Sequence, residues 1–176
     1  GGGTALRTRQ TQPSAALIHA TFTLQDSQGK TVTQNNFKDK YLLVYFGFTH
    51  CPDICPTSLL LMDHALEALG GRGARIQPLF ITLDPQRDTP QKVGEYVRHF
   101  GTRLVGLTGT PAQIRDAADH FKVYYSKVED SSSALGYVID HSGFIYLMGP
   151  DGAYLTHFPA SASQQELMKG IQDYVR

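Results

Sequence analysis

Residues 41–56 read YLLVYFGFTHCPDICP and carry the strongest structural pattern in the chain. Its first six residues are a continuous apolar run, which is typical of a strand buried on both faces in a sheet that helices cover. The residues after the second cysteine have helical periodicity, and their apolar face consists of Leu59, Met62, Leu66 and Leu69. Gly70-Gly71 ends this helix. The stretch therefore predicts a central strand, a loop with two cysteines and a helix.

Helices and strands alternate through the rest of the chain. Strands are predicted at 76–83, 104–107, 123–125, 136–139, 144–148 and 154–158, and helices from Pro90, over 111–121 and over about 163–174. Upstream, residues 20–24 and 31–33 are predicted to form a hairpin. This element order is that of an α/β protein with a thioredoxin-like fold and an added N-terminal β-hairpin.

Composition limits the number of domains and the kinds of partner. The chain has 176 residues, of which 41% are hydrophobic, so it can bury one core of ordinary size. Residues 1–16 are polar and glycine-rich and are predicted to be a flexible lead-in or an expression remnant, before a single domain at 17–176. Sixteen basic residues balance sixteen acidic ones, which argues against nucleic acid or an anionic membrane surface as the partner. The longest apolar stretch, 41–48, is about a third of what a membrane-spanning helix needs.

The two cysteines, Cys51 and Cys55, are separated by three residues and point to chemistry rather than to a disulfide scaffold. Pro56 suits the first position of the following helix, so Cys55 is expected near the cap, where the helix dipole should favour its thiolate. Redox proteins of this fold usually carry two residues between the cysteines. The wider spacing suits two thiolates that converge on a soft cation such as Cu(I), and two cysteines exclude a four-thiolate zinc site.

A third ligand would have to come from the seven histidines. His141, in the sequence VIDHSG at 138–143, lies at a break between two apolar strands, where its side chain could project toward a neighbouring loop. His50 ranks second, since its position next to Cys51 strains joint ligation of one ion. Other roles stay open: close cysteine pairs are more often redox-active, structural or zinc-bound, a histidine in a turn is usually a hydrogen-bonding residue, and Asp84 and Asp88 by default cap the helix at Pro90.

Four segments carry a resemblance to a known family. They are FGFTHCPDICP at 46–56, TLDPQRDT at 82–89, LVGLTGT at 104–110 and VIDHS at 138–142. Together, over roughly residues 17–175, the chain resembles the Sco/SenC family of copper-binding assembly factors for cytochrome c oxidase.

The resemblance implies a thioredoxin-like fold and one copper ion per chain, Cu(I) or Cu(II), held by Cys51, Cys55 and His141. Carboxylates close to the ligands, with Asp140, Asp84 and Asp88 as candidates, would orient them. The implied function is a copper chaperone rather than an enzyme. It would deliver copper to the dinuclear copper site of cytochrome c oxidase subunit II, and it could also reduce the cysteines of that target.

The resemblance also implies partners and a compartment. The parent protein is expected to carry an N-terminal membrane anchor and to work at the periplasmic face of the bacterial inner membrane or, alternatively, at the mitochondrial inner membrane facing the intermembrane space. An upstream copper donor and a thiol reductant are expected partners. Two other hypotheses remain: a thiol-disulfide oxidoreductase or peroxidase that uses Cys51 as nucleophile and Cys55 as resolving thiol, and a redox or copper sensor.

Overall fold

A five-stranded sheet forms the centre of the computed structural model, which describes residues 18–51, 54–129, 137–141 and 143–176, with the backbone alone for Ile54 and 138–141. The strands of the described part are β1 (Thr23–Gln25), β2 (Thr31–Thr33), β3 (Tyr41–Gly47), β4 (Ile76–Thr82), β5 (Val105–Leu107), β6 (Tyr125–Glu129), β7 (Tyr137–His141), β8 (Phe144–Met148) and β9 (Tyr154–Pro159). The helices are α1 (Ile54–Ala68), α2 (Pro90–Val97), α3 (Pro111–Phe121) and α4 (Gln164–Gln172). Short 3-10 helices lie at Gln34–Phe37, Gly73–Arg75 and Arg98–Phe100.

The strand order in the central sheet is β5-β4-β3-β8-β9. β3, β4 and β5 are parallel, whereas β8 pairs antiparallel with β3 and β9 antiparallel with β8. β1 and β2 form a separate antiparallel hairpin, with Thr23 opposite Thr33. The predicted α/β class with an added N-terminal hairpin is confirmed.

Helices cover the central sheet because its middle strands have no polar face. Every residue of β3 after Tyr41 is buried, as the continuous apolar run predicts. α1 packs against α4, and α2 packs against β5. The contact with β5 is close at Gly106, where a Cβ atom would lie 2.4 Å from Val93 and 2.8 Å from Val97. Among the described residues, no helix is both long and apolar enough to cross a bilayer.

Two helix starts differ from the prediction. The N-cap of α2 is Thr89, whose side chain accepts a hydrogen bond from the Lys92 amide, so Asp84 and Asp88 do not cap this helix. α1 begins at Ile54, two residues before the predicted first position at Pro56, which puts Cys55 inside the first turn. Pro56 is tolerated there because the amides of a first helical turn have no partner within the helix.

A second hairpin, β6 and β7, lies outside the central sheet. The strand expected at 123–125 begins at Tyr125 and continues to Glu129, and the strand expected at 136–139 runs over Tyr137–His141. β6 is exposed over most of its length, so it lacks the apolar alternation that would mark its bounds in the sequence. His141 therefore ends a strand rather than lying in a turn. The Ser-rich segment at 129–133 predicts a surface loop, and this segment beyond Glu129 lies outside the described residues, as does the predicted lead-in at 1–16.

Candidate metal centre

The cysteines lie at the carboxyl end of β3, the edge of the sheet where ligands usually bind in α/β proteins. The chain turns after Gly47, and the turn is closed by a hydrogen bond of 3.2 Å from the Cys51 amide to the Phe48 carbonyl. The Leu83 amide donates to the Gly47 carbonyl at 2.7 Å, which extends the pairing between β3 and β4 to the start of this turn. The loop with the first cysteine is therefore held to the sheet by its backbone.

The two thiols are reduced and lie next to each other. Cys51 is 7% exposed, and Cys55 is fully buried. The pKa of Cys55 is raised, first by its hydrogen bond to Cys51, then by burial and by the charge of Cys51. A smaller effect of the Phe48 backbone hydrogen bond lowers it. The expectation that the helix start favours a Cys55 thiolate is thus wrong for the metal-free protein, because the hydrogen bond to Cys51 and desolvation both raise the pKa of Cys55.

Two buried phenols lie beside the thiol pair. Tyr45 donates a hydrogen bond to Cys55 Sγ with an oxygen-to-sulfur distance of 3.8 Å. Burial and then the charges of Cys55, Cys51 and Asp88 raise the pKa of Tyr96. The Tyr96 hydroxyl is buried and has no hydrogen-bond partner among the described residues. The pair therefore has one phenolic O–H group, that of Tyr45, that can donate to a thiolate sulfur.

Asp88, in the connection between β4 and α2, holds the cysteine loop, which comprises residues 48–51. Its buried carboxylate accepts hydrogen bonds from the Thr49 amide at 2.9 Å and the Thr49 hydroxyl at 2.5 Å. The Thr82 hydroxyl donates to the same carboxylate at 2.6 Å. The Asp88 carbonyl accepts from Thr108 at 2.8 Å. Asp88 thus ties the segment just before Cys51 to the ends of two strands.

Asp84 makes the corresponding contacts with β7. Its buried carboxylate pairs with the Arg87 Nε and accepts a hydrogen bond of 2.9 Å from the Tyr137 hydroxyl. The Arg87 guanidinium lies 3.8 Å from the centre of the Tyr137 ring and donates to the Tyr137 carbonyl at 3.3 Å. The start of β7 is therefore tied to the same connection that holds the cysteine loop.

Among the described side chains, one group has the spacing of a metal site: His50, Asp84 and Asp88, whose candidate ligand atoms lie within 4.8 Å of one another. His50 is 39% exposed, and its Nδ1 lies 3.9 Å from Asp88 Oδ1. The two carboxylates, however, already accept the hydrogen bonds described above, and Asp84 is paired with a guanidinium. These contacts disfavour a cation there, and they explain the two aspartates as structural acceptors.

His141 is placed by its backbone only. It is the last residue of β7, opposite Tyr125 of β6, and the side chains of Asp140 and His141 lie outside the described part of the chain. Whether His141 joins the two cysteines, and whether Asp140 orients it, stay predictions. The structure brings Cys51 and Cys55 into contact and places Asp84 and Asp88 in one connection, and the role of the two aspartates toward the ligands also stays a prediction.

Sequence reasoning missed the residues around the ligands. In the sequence Tyr45 is one residue of the apolar run at 41–46, and no motif distinguishes Tyr96 or Tyr137. Arg87 was quoted in a motif but was given no role. A weak signal existed for Arg87, because a cation between Asp84 and Asp88 is a ready partner for one of them. The contact with Tyr137 spans 50 residues and has no such signal.

Comparison with known proteins gives consistent results. The sequence profile of the SCO1/SenC family matches residues 10–176. A SCO2-like protein of Rickettsia conorii is 43% identical over 156 residues, which cover 89% of this chain and 76% of the relative. The human mitochondrial SCO1 homologue is 36% identical over 96% of this chain and 56% of its own length. The crystal structure of Arabidopsis thaliana ScoI with copper bound superposes with a TM-score of 0.82 at 40% identity, over 89% of this chain and 99% of that one.

Proposed function

The chain belongs to the SCO1/SenC family, and we propose that it binds one copper ion through Cys51, Cys55 and His141 and delivers it to the dinuclear copper site of cytochrome c oxidase subunit II. Sco proteins are a family of cytochrome c oxidase assembly proteins. The Arabidopsis relative holds copper. Both facts support the proposal.

The observation that carries the proposal is the reduced thiol pair at the end of β3, with its two sulfur atoms in hydrogen-bond contact. Sulfur ligands so placed suit Cu(I), and an imidazole suits copper in either oxidation state. Copper binding would displace the thiol protons, including the one that Cys55 retains because its pKa is raised. The Tyr45 hydroxyl, which already donates to Cys55 Sγ, can keep that hydrogen bond when the sulfur becomes a thiolate.

Transfer would proceed by ligand exchange. Cys51 is the more exposed of the two cysteines, so its sulfur is the one that a thiol of the target reaches first. Cys55 is fully buried and would release copper last. Copper would then pass between the proteins without entering solvent.

A thiol-disulfide oxidoreductase is the second candidate, and the contact between the two thiols favours it, because neighbouring thiols can be joined in a disulfide. Against the oxidoreductase function, a nucleophilic cysteine needs access to its substrate and a lowered pKa. Cys55 has neither, and Cys51 is nearly buried. We therefore place reduction of the target's cysteines second to copper delivery.

A transfer assay separates the two functions. Copper-loaded protein is mixed with the reduced, metal-free copper domain of subunit II, and the copper content of each is measured after separation. We expect the domain to gain copper, while the protein reduces unrelated disulfides such as those of insulin only slowly. Rapid turnover of insulin disulfides without copper transfer would support the oxidoreductase instead.

Location and further partners follow from the same proposal. We propose that the parent protein is anchored in a membrane and works at the periplasmic face of the bacterial inner membrane or, alternatively, in the mitochondrial intermembrane space. The human relative is mitochondrial, which supports a compartment where oxidase subunits are assembled. An upstream copper donor and a thiol reductant would supply the copper and restore the two thiols.

A further inference from the structure

We infer that the 84–88 loop, between β4 and α2, sets the position of the β6–β7 hairpin relative to the cysteine loop. It does so through two separate sets of side-chain contacts, its two arms. Asp88 is the residue of one arm, and Asp84 with Arg87 forms the other. These residues are positioning residues that bind no copper themselves. The inference rests on the proposed function, since it concerns how His141 is held near Cys51 and Cys55.

The first arm reaches the cysteine loop. Thr49, which precedes Cys51 by two residues, donates both its amide and its hydroxyl to Asp88. Two hydrogen bonds to one buried carboxylate fix both the direction of the backbone at Thr49 and its distance from Asp88. Thr82 and Thr108 hold Asp88 in turn at the ends of β4 and β5. The position of the cysteine loop is therefore fixed relative to the sheet, and this loop cannot shift without breaking buried, charge-assisted hydrogen bonds.

The second arm reaches the hairpin through Tyr137, four residues before His141 on β7. The Tyr137 hydroxyl donates to Asp84, its carbonyl accepts from Arg87, and its ring lies against the Arg87 guanidinium. Lys127 of β6 adds a contact, because its Nζ lies 4.3 Å from the Tyr137 ring centre and donates to Gln86 at 3.0 Å. Both strands of the hairpin are thus attached to the 84–88 loop.

These contacts matter because the hairpin is not part of the central sheet. Neither β6 nor β7 pairs with the central sheet, and β6 is largely exposed. A two-stranded ribbon is marginal by itself in water. The hairpin would move relative to the cysteines unless it were held, and the contacts of Tyr137 with Asp84 and Arg87 provide that attachment at the start of β7. Tyr125, opposite His141, adds to it, because its ring centre lies 4.2 Å from the Arg115 guanidinium.

The two arms predict different effects on the two oxidation states of copper. Tyr137→Phe removes one hydroxyl and keeps the ring, so it loosens the hairpin and leaves the cysteine loop intact. Asp88→Asn loosens the cysteine loop itself. The matched control is Tyr41→Phe, which also loses one hydrogen bond, to the Tyr174 carbonyl, at the opposite end of β3.

The test titrates the reduced full-length chain with Cu(I) and with Cu(II), and records the Cu(II) absorption and electron paramagnetic resonance spectra. For Tyr137→Phe we expect Cu(II) affinity to fall by roughly tenfold to a hundredfold, the range found for residues that orient metal ligands, with an altered spectrum. Its Cu(I) affinity should stay within about threefold, because two thiolates suffice for Cu(I). Asp88→Asn should lower the affinity for both ions. Tyr41→Phe should change neither.

Amide hydrogen exchange on the metal-free variants tests the attachment without copper. Residues of β6 and β7 should exchange faster in Tyr137→Phe than in the wild type or Tyr41→Phe. If the hairpin exchanges faster while the wild type binds no copper, the attachment exists but the proposed function fails, and the positioning role falls with it. If Tyr137→Phe matches Tyr41→Phe in Cu(II) spectrum and affinity, or loses Cu(I) as strongly as Cu(II), the inference is overturned.

Discussion

At residue 47 the fold leaves no space for a side chain. A Cβ atom there would lie 2.7 Å from Cys55 Sγ and 3.2 Å from the rings of Tyr45 and Phe80. A separation under about 3 Å forces one of the two atoms to move, and the rings are buried. The sulfur position of Cys55 therefore depends on the absence of a side chain at Gly47.

Gly47→Ala should weaken copper binding in both oxidation states, because it displaces a sulfur that both use. We expect the free energy of unfolding to fall by about 1–3 kcal/mol, the usual cost of overpacking a core. Gly71→Ala is the matched control, since a Cβ atom there meets nothing within 4 Å. Calorimetric unfolding and Cu(I) competition titrations measure both effects. Equal copper affinities for the two variants would contradict the assigned position of Cys55 in the site.

At the scale of elements, β7 connects the positioning contacts to the proposed third ligand. His141→Ala removes the imidazole and leaves both thiolates. Cu(I) binding should survive, weakened, whereas Cu(II) affinity should drop by roughly tenfold or more and its spectrum should change, because Cu(II) prefers nitrogen ligation in a tetragonal site. Titration of the reduced variant with each ion measures the difference.

His50→Ala is the control for this prediction. His50 lies beside Asp88 and is more than a third exposed. Its replacement by alanine should therefore lower the affinity for Cu(II) far less than His141→Ala does. If His50→Ala abolished Cu(II) binding while His141→Ala preserved it, the third ligand would be misassigned.

Elements with strong patterns were predicted well, and elements without one were not. The apolar run of β3 and the Gly70-Gly71 break after α1 mark their elements locally. β6 and β7 are stabilised by cross-strand pairing and by the contacts of Lys127 and Tyr137 with the 84–88 loop, and such contacts leave no apolar periodicity. For the same reason His141 was expected in a turn.

At the scale of the whole molecule, the order of helices and strands was sufficient for the fold class. The cysteine pair was also visible, because its two members are close in the sequence. The environment of the pair was not, since it depends on tertiary contacts: Thr49 and Asp88 are 39 residues apart, and Asp84 and Tyr137 are 53 apart. The pKa of Cys55 likewise follows from burial and the sulfur of Cys51, whereas the helix start alone suggested the opposite direction.

Copper stoichiometry shows whether Cys51 and Cys55 together form the copper site. Reduced protein is titrated anaerobically with Cu(I) and separately with Cu(II), and the same titrations are repeated after oxidation to the Cys51–Cys55 disulfide and on the Cys51→Ser/Cys55→Ser variant. We predict one Cu(I) or one Cu(II) per reduced chain, the latter with a sulfur-to-copper charge-transfer absorption, and loss of both when the thiols are absent. Tight one-to-one binding that persists in the oxidised protein or in the double variant would contradict a copper site built on these two cysteines.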